Sequence, residues 1–353
     1  MSELASESST AFSCPIPRTE TEVVLLGHGS GGQLMAELLG EVITPALGMH
    51  GPLEDAAVLD LDRPEVVVST DSFVVTPRFF PGGDIGSLAV HGTVNDIAMR
   101  GARPVALTLS YLLEEGLPLA DLRRITDSVA AAAAAVGVPV VAGDTKVVGR
   151  GAADGIYLTT TGIGVRLPGA EVSAAAGRPG DVVLLSGAIG RHGTAILAAR
   201  EDLGFAGDLS SDSQPLHGLV AAMIAAGGPA VHALRDPTRG GLASALNELA
   251  AAASVAIEIT EAELPVPAPV ASLCDLLGLD PLHVANEGCL VALVAPDHAD
   301  AVLAAMRALP EGAEARAIGR VTADPAGWVT ARTLVGSSRI VDMLVGEQLP
   351  RIC

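Results

Sequence analysis

Two kinds of side chain in this sequence are placed to do chemistry. One is a thiol at the last residue, Cys353, and the other is a set of carboxylates in short polar islands between apolar runs. The islands are Glu54-Asp55-Ala56-Ala57, Ser69-Thr70-Asp71-Ser72, Val94-Asn95-Asp96-Ile97, Ala142-Gly143-Asp144-Thr145-Lys146 and Arg235-Asp236-Pro237-Thr238-Arg239-Gly240-Gly241. Mg²⁺ takes oxygen ligands and bridges carboxylates to phosphate oxygens, so acids converging from several islands are what a Mg²⁺-nucleotide site needs. Taken singly, each aspartate reads better as a cap or turn residue, and Asp84 before Ile85 is read as a helix N-cap.

Lys146 has two readings: an exposed lysine on a loop, or a cation that neutralises phosphate and, desolvated, transfers protons. Glu287, in Ala285-Asn286-Glu287-Gly288, is either a hydrogen-bonded turn residue or a buried acid whose raised pKa suits it to be a base. His28-Gly29-Ser30-Gly31-Gly32 lies between a strand run (Val23–Leu26) and a helix (Gln33–Leu47). Such glycines let backbone N–H groups approach phosphate, although the segment lacks the Gly-Lys-Ser/Thr ending of a Walker A loop and also reads as a tight turn. The segment from Gly336 to Cys353 would reach ~55 Å if extended. A thiol on that tether can collect a group at one site and deliver it at another, once activated as a thiolate; a terminal cysteine can also be incidental. Cys14, Cys274 and Cys289 have no Cys-x-x-Cys spacing, and the histidines include no His-x-x-x-His pair, so structural zinc is excluded.

The elements that must position these groups alternate between strand and helix. Residues 1–20 form a Ser-, Thr-, Glu- and Pro-rich mobile leader. Residues 21–167 form a first domain with strand runs at Glu65–Thr70, Val138–Ala142 and Ile156–Val165, and a long Ala-rich helix at Pro118–Val136. Leu167–Gly180 reads as a linker. Residues 168–335 form a second domain, with strands near Asp181–Ser186, Val255–Ile259, Cys289–Val294 and Ala315–Val321. Its helices lie near His192–Asp202, Gln214–Ala226 and Gly240–Ala253. Residues 336–353 form the tail.

A length of 353 residues suggests two domains, and 49% hydrophobic content supplies their cores. With 2% aromatic residues and a net charge of −20, a base-stacking platform, a duplex-binding footprint and an anionic-membrane surface are all excluded. Val129–Ala142 is apolar but too short to span a bilayer and is broken by Gly137 and Pro139, and no signal peptide is evident, so a cytoplasmic protein is expected.

Together the segments resemble the hydrogenase-maturation carbamoyl dehydratases, the HypE family, from about His28 to Cys353. The resemblance is carried by HGSGG (28–32), STDSFVV (69–75), FFPGGDIG (79–86), HGTVND (91–96), EEGL (114–117), GDTKVV (143–148), RDPTRGGL (235–242), ANEG (285–288) and the terminal PRIC (350–353). The pairing of PRIC with GDTKVV is the most specific part. The wider superfamily includes aminoimidazole ribonucleotide synthetase, selenophosphate synthetase and thiamine-monophosphate kinase, which lack the terminal cysteine.

The resemblance implies an α+β chain. Its amino-terminal α/β domain would pair with a second copy into a β-barrel, and its carboxy-terminal domain would be an α/β sandwich carrying a flexible tail. ATP with Mg²⁺ would lie between the domains. It implies that the carbamoyltransferase HypF loads a carboxamide onto Cys353, that ATP-driven dehydration leaves a thiocyanate, and that cyanide passes to iron held by HypC–HypD. Glu287 and Lys146 become the candidate bases. Asp55, Asp71, Asp96, Asp144 and Asp236 become candidate Mg²⁺ ligands, and Gly29, Gly31, Gly32, Asp71, Asn95, Asp144, Thr145 and Lys146 candidate ATP contacts. Pro350 stiffens the tail near the thiol and Gly336 is a plausible hinge. Gly190-Arg191-His192-Gly193 departs from the family's Gly-Asp-His-Gly, and Glu54 stands where an aspartate is common. Two other readings remain: a different ATP-using enzyme of the superfamily, indifferent to loss of Cys353, and a non-catalytic thiol carrier.

Overall fold

The structure is a computed structural model that describes residues 32–38, 40, 52, 54, 57–59, 65–201, 209–346 and 352–353. In chain order the first half contains α1 (Gln33–Leu38), β1 (Ala57–Leu59), β2 (Val66–Phe73), β3 (Phe79–Phe80), β4 (Gly83–Asp84), α2 (Ile85–Met99), β5 (Ala102–Glu114), α3 (Leu119–Val136), β6 (Val140–Val148) and β7 (Ile156–Arg166). The second half contains β8 (Val182–Leu185), α4 (Arg191–Arg200), α5 (His217–Gly227), β9 (Val231–Arg235), α6 (Gly241–Ala253), β10 (Ala256–Thr260), α7 (Ala268–Leu277), β11 (Val291–Val294), α8 (Pro296–Arg307), β12 (Arg316–Thr322), β13 (Val329–Arg332) and β14 (Ser338–Ile340).

The first half builds a five-stranded sheet in the order β1-β2-β7-β5-β6. Its neighbours are antiparallel except β5 and β6, which run parallel and are joined through α3, the crossover that parallel neighbours require. Alternation puts Val67, Ser69, Asp71 and Phe73 of β2 on one face, towards α2. Helix α2 is apolar nearly all round and buried along its length, as a helix between two layers must be. It starts where the sequence placed its cap. The Asp84 carboxylate accepts N–H bonds from Gly86 at 2.8 Å and Ser87 at 3.0 Å, and the Asp84 N–H donates to the Ser87 hydroxyl at 3.1 Å.

The second half builds a seven-stranded sheet, β14-β13-β10-β12-β8-β11-β9, with only β10 and β13 parallel. Its central strands are buried on both faces. Val183, Leu185, Val291 and Leu293 share a core with Leu242 and Leu246 of α6. Leu184, Ala292 and Val294 share another with Leu219 of α5 and Val302 of α8. A third core joins the halves, bringing Phe73 and Leu88 together with Ile196 of α4, Leu273 of α7 and Ile352 near the chain end.

Several sequence expectations change. Residues 143–148 are not a loop after a short strand; they continue β6, whose backbone pairs with β5 as far as Val148. Leu167–Gly180 is not a loose linker: Ala170, Val172 and Ala174 are buried, because the apolar residues between its glycines and prolines anchor it. The tail does not begin at Gly336. β14 pairs with β13, Val341 is buried with its N–H donating to Val329 at 2.9 Å, and the Gln33 N–H donates to the Leu344 carbonyl at 2.7 Å. The chain is therefore tied down as far as Leu344. Helices α2, α7 and α8 and strand β5 had no explicit assignment from sequence. The leader with Cys14, the Val23–Leu26 strand and the far end of the Gln33–Leu47 helix lie outside the described residues. Among the described residues no helix is long and apolar enough to cross a membrane.

The cap on α2 yields a simple expectation. D84A should lower stability by about 1 kcal/mol, with D84N close to the parent, in urea unfolding. An unchanged midpoint for D84A would show that the cap contributes nothing.

Candidate active site

The site lies between the two halves and is built around the end of the chain. Ile352 packs into the shared core, and Cys353 is partly buried against it. The Val74 N–H, just past β2, donates to the Cys353 backbone oxygen at 3.1 Å. On the other side, the Ile352 carbonyl lies 2.5 Å from His192 Nε2. The thiol is thus held where Arg239, Glu287 and Asp71 act on it electrostatically. Burial, with smaller contributions from Glu287 and Asp71, pushes its pKa up to about 12 against the opposing pull of Arg239.

Glu287 is positioned by its neighbours. Asn286 before it is fully buried; its amide accepts from the Gly190 N–H at 2.6 Å and donates to the carbonyls of Pro237 at 2.9 Å and Val284 at 3.1 Å. Asp212 receives the N–H groups of Glu287 and Gly288 at 3.2 and 3.1 Å. Gly288 must be glycine, since a Cβ there would stand 1.8 Å from the Asp212 carbonyl oxygen. The Glu287 carboxyl faces Gly92 of α2, whose position also abuts the Phe73 ring. Burial raises its pKa well above the ordinary value; Asp236, Asp212 and Asp71 add to this and Arg239 opposes it. Asp71 is raised as well, by burial first. Arg239 is the counterweight: its pKa is raised by the ionised forms of Cys353, Asp71, Glu287 and Asp96, against burial.

The expected site residues divide accordingly. Cys353, Glu287, Asp71, Asp96 and Asp236 fall into one electrostatic neighbourhood around Arg239 and Glu287. Asp96 also accepts from the Ser69 hydroxyl at 2.7 Å. Asn95 sits one turn-position earlier on α2 and stitches the halves together: its amide donates to the Gln214 carbonyl at 3.1 Å and accepts from the Leu216 N–H at 2.7 Å. Asp144, Thr145 and Lys146 lie elsewhere, on the exposed strand β6, where Lys146 Nζ is 2.6 Å from Asp144 Oδ1. Asp144 pairs across to Ser110, Ser110 to Thr159 and Thr159 to Ser72. Three strand spacings, about 14 Å, therefore separate Asp144 from Ser72 beside Asp71. Gly32 lies against the Leu344 carbonyl, which a Cβ would approach to 2.2 Å. Gly29, Gly31 and Asp55 lie outside the described residues. Glu54 is occupied structurally, accepting from Ser173 at 2.7 Å and pairing with Arg100 at 2.5 Å. Among the described residues no three His, Cys, Asp or Glu side chains are grouped to hold a metal.

Sequence reasoning missed Arg239, Asp212, His192 and Ser211. Arg239 was visible within RDPTRGGL, but its role depends on distant partners. Asp212 and Ser211 stand in Ser210-Ser211-Asp212-Ser213, a polar cluster that reads as an ordinary loop. Arg191, the departure from the family pattern, places its positive charge near Asp212.

Comparison with known proteins places the chain in a family. Residues 53–166 match the AIR synthase related protein N-terminal domain and residues 178–331 the C-terminal domain. The two domains are thus those of an AIR synthase related protein. The carbamoyl dehydratase HypE of Azotobacter vinelandii is 56% identical over 328 residues, spanning 92% of this chain and 96% of that protein. The crystal structure of a HypE–HypF complex aligns with TM-score 0.83 at 47% identity, covering 87% of this chain and 99% of the matched one. HypE in complex with ATP aligns with TM-score 0.80 at 46% identity, covering 94% and 100%. The chain belongs to the HypE carbamoyl dehydratase family.

Burial holds the His192 ring at a pKa of about 4, below its ordinary 6.5, against the opposing hydrogen bond to Ile352. Between those values the unfolded chain binds a proton that the folded chain does not. Stability from this residue is therefore complete above pH 6.5 and falls as pH drops towards 4, by up to roughly 3 kcal/mol. Urea midpoints at pH 7 and 4.5 should show a smaller loss for H192Q than for the parent; equal losses would mean that His192 does not titrate this way.

Proposed function

We propose that this chain converts a carboxamide carried on the Cys353 sulfur into a thiocyanate at the expense of ATP, so supplying the cyanide ligand of a nickel–iron hydrogenase. The observation that carries the reading is the seating of the chain's own thiol beside Glu287, Asp71 and Arg239 in the crevice between the halves.

The chemistry follows from the groups present. An amide oxygen is a poor leaving group until it is phosphorylated. Attack of that oxygen on the γ-phosphorus releases ADP, and one N–H proton is lost as the carbon–nitrogen double bond forms. Cleavage of the C–O bond then releases phosphate, and loss of the second N–H proton completes the nitrile. The sum is S-carboxamide plus ATP giving thiocyanate, ADP and phosphate. Glu287 is the base in this scheme, since Lys146 on the same chain stands three strands away on β6. Its raised pKa means that it must lose its own proton first, so dehydration should quicken with rising pH. Arg239 stabilises the negative charge that develops on the carboxamide oxygen and the departing phosphate.

Mg²⁺ is proposed among Asp71, Asp96 and Asp236, oxygen donors of the kind it takes that act on the same Arg239 and Glu287, although the described side chains are not grouped as a preformed metal site. A bound Mg²⁺ would neutralise the phosphate oxygens of ATP. Lys146, Thr145 and Asp144, with Gly29, Gly31 and Gly32, are proposed at the phosphates. The tail is proposed to leave the crevice for loading. The nine residues from 345 to 353 would reach about 30 Å. HypF is proposed as the loading partner, as in the HypE–HypF complex of a relative, and HypC–HypD as the acceptor of cyanide.

We also infer a homodimer closing a β-barrel. Strand β6 is a free edge carrying exposed Val140, Val141 and Val147, the kind of edge that soluble proteins cover. The sheet face bearing Thr70, Ser72, Thr159 and Thr161 has its hydroxyls paired only with one another and with backbone, and a second copy would cover it. The first domain, 21–167, is proposed on the family's two-domain plan; the second, expected to end at residue 335, runs on through β14. A V141E/V147E double variant should run at half the parent's mass in light scattering; a monomeric parent at micromolar concentration would overturn the dimer.

The reaction is tested by intact mass of the C-terminal peptide after treatment with HypF and carbamoyl phosphate. The adduct should lose one water only when Mg-ATP is added, and E287Q should slow that loss at least ~100-fold while still accepting the carboxamide. A carboxamide that persists with ATP would favour a carrier. ATP consumption on a small substrate with no adduct on Cys353 would favour another superfamily reaction.

A further inference from the structure

The hydrogen bonds around His192 form a one-way chain. The Ile352 carbonyl can only accept, so His192 Nε2 carries the hydrogen that reaches it across 2.5 Å. Nδ1 is then an acceptor, and the Ser211 hydroxyl 2.8 Å away donates to it. The Ser211 oxygen in turn accepts the Ser213 N–H at 3.1 Å. The ring plane is fixed by Phe80, edge-on at 5.6 Å and 89°. The imidazole is fully buried, and burial keeps it neutral, the form this tautomer requires. None of these bonds involves Glu287, Asp71 or Arg239, so the chemistry proposed above makes no use of this ring.

What the ring touches is the chain end. His192 holds the carbonyl just before Cys353 and the Val74 N–H holds the oxygen just after its α-carbon. Two bonds, in both of which a backbone oxygen of the chain end accepts, thus bracket the residue whose side chain carries the cargo. Departure of the tail would leave a buried imidazole N–H without its acceptor, an unfavourable state that biases the tail inward. Arg191 and His192 open α4, and α4 is anchored at its start through the Gly190 N–H bond to Asn286, next to Glu287. The segment bearing the latch and the segment bearing Glu287 are therefore joined by the Gly190–Asn286 bond.

We propose that His192, oriented by Ser211, is a positioning residue that latches the chain end through the Ile352 carbonyl and so presents the group on Cys353 to Glu287. This rests on the dehydratase reading for its consequence, but the latch itself is tested without it.

The test uses the full-length protein with H192L, which removes the donor, and H192Q, whose amide can place an N–H near the Nε2 position. Alkylation of Cys353 by iodoacetamide is followed on the peptide released by cleavage after Glu347. It should be at least tenfold faster in H192L than in the parent, with H192Q close to the parent. After loading by HypF, single-turnover loss of water with Mg-ATP should slow at least tenfold in H192L and recover in H192Q, while loading itself is not slowed. Equal alkylation rates in all three proteins would overturn the latch whatever the dehydration result. H192Q behaving like H192L in both assays would reduce His192 to a packing residue and also overturn it. Failure of the parent to lose water would remove the dehydratase reading and leave the alkylation result standing. Should H192L not fold, S211A, which removes the orienting hydroxyl, should accelerate alkylation several-fold; no acceleration there would count equally against the proposal.

Discussion

The side chain of Asn286 is the point on which the site depends. One buried amide accepts from Gly190 and donates to Pro237 and Val284. Those three segments lead directly to His192, to Asp236 and Arg239, and to Glu287. An amide has both donors and acceptor in one plane, so it can satisfy three loops at once without introducing charge. An aspartate in its place would remove the side-chain donor to the Val284 carbonyl, leave the Pro237 carbonyl with the backbone N–H of residue 286, and add a further negative charge to a neighbourhood already crowded with acids. Asn95 does the same work across the halves, linking α2 to Gln214 and Leu216. The crevice is thus framed by neutral amides.

The electrostatics follow from that framing. In a chain with net charge −20, the acids gathered here have Arg239 to offset them, and burial weakens solvent screening. Glu287 and Asp71 are accordingly driven towards their neutral forms, and the thiol of Cys353 is driven far from ionisation. The docked thiol is a poor nucleophile, which is consistent with a tail that is loaded elsewhere and docked only for a later step. A divalent cation bound among these groups would shift them in the direction of ionisation together. The protonation state of the base is coupled to occupancy, and not fixed by the protein alone.

Much of this was legible in the sequence, and the parts that were not share a cause. Glu287, Asp71, Asp96 and Asp236 stood out as polar residues in apolar surroundings and Cys353 as a thiol at the chain end. It was the family resemblance, carried most specifically by PRIC and GDTKVV, that made them candidates for one site. The α2 cap at Asp84 was legible because its partners are two and three residues away. Arg239, Asp212 and His192 were not, since each takes its meaning from a residue brought near only by folding: Arg239 from Cys353, Asp212 from Glu287, His192 from Ile352. The tail was misread from Gly336 because Gly336-Ser337-Ser338 looks like a linker, while the apolar anchor Val341 is too isolated to show a period. Strand β6 was cut short for the opposite reason. Its polar residues looked like a loop when they are the outward residues of an edge strand.

That edge strand explains why one motif stands apart from the rest. Asp144, Thr145 and Lys146 sit on a strand that is exposed along its length, and strand geometry keeps them away from Asp71 in their own chain. An exposed Lys–Asp pair contributes little to stability, so stability does not account for placing it there. Nor does packing, since the neighbouring Val141 and Val147 face solvent. Both oddities disappear if the edge is covered by a second copy. The valines then gain a partner, and the charged pair comes to lie inside an assembly, where ion pairs with phosphate are screened less. On the proposed reading the single chain holds the thiol, its latch and its base, and the groups proposed for phosphate lie on the surface that a second copy would cover.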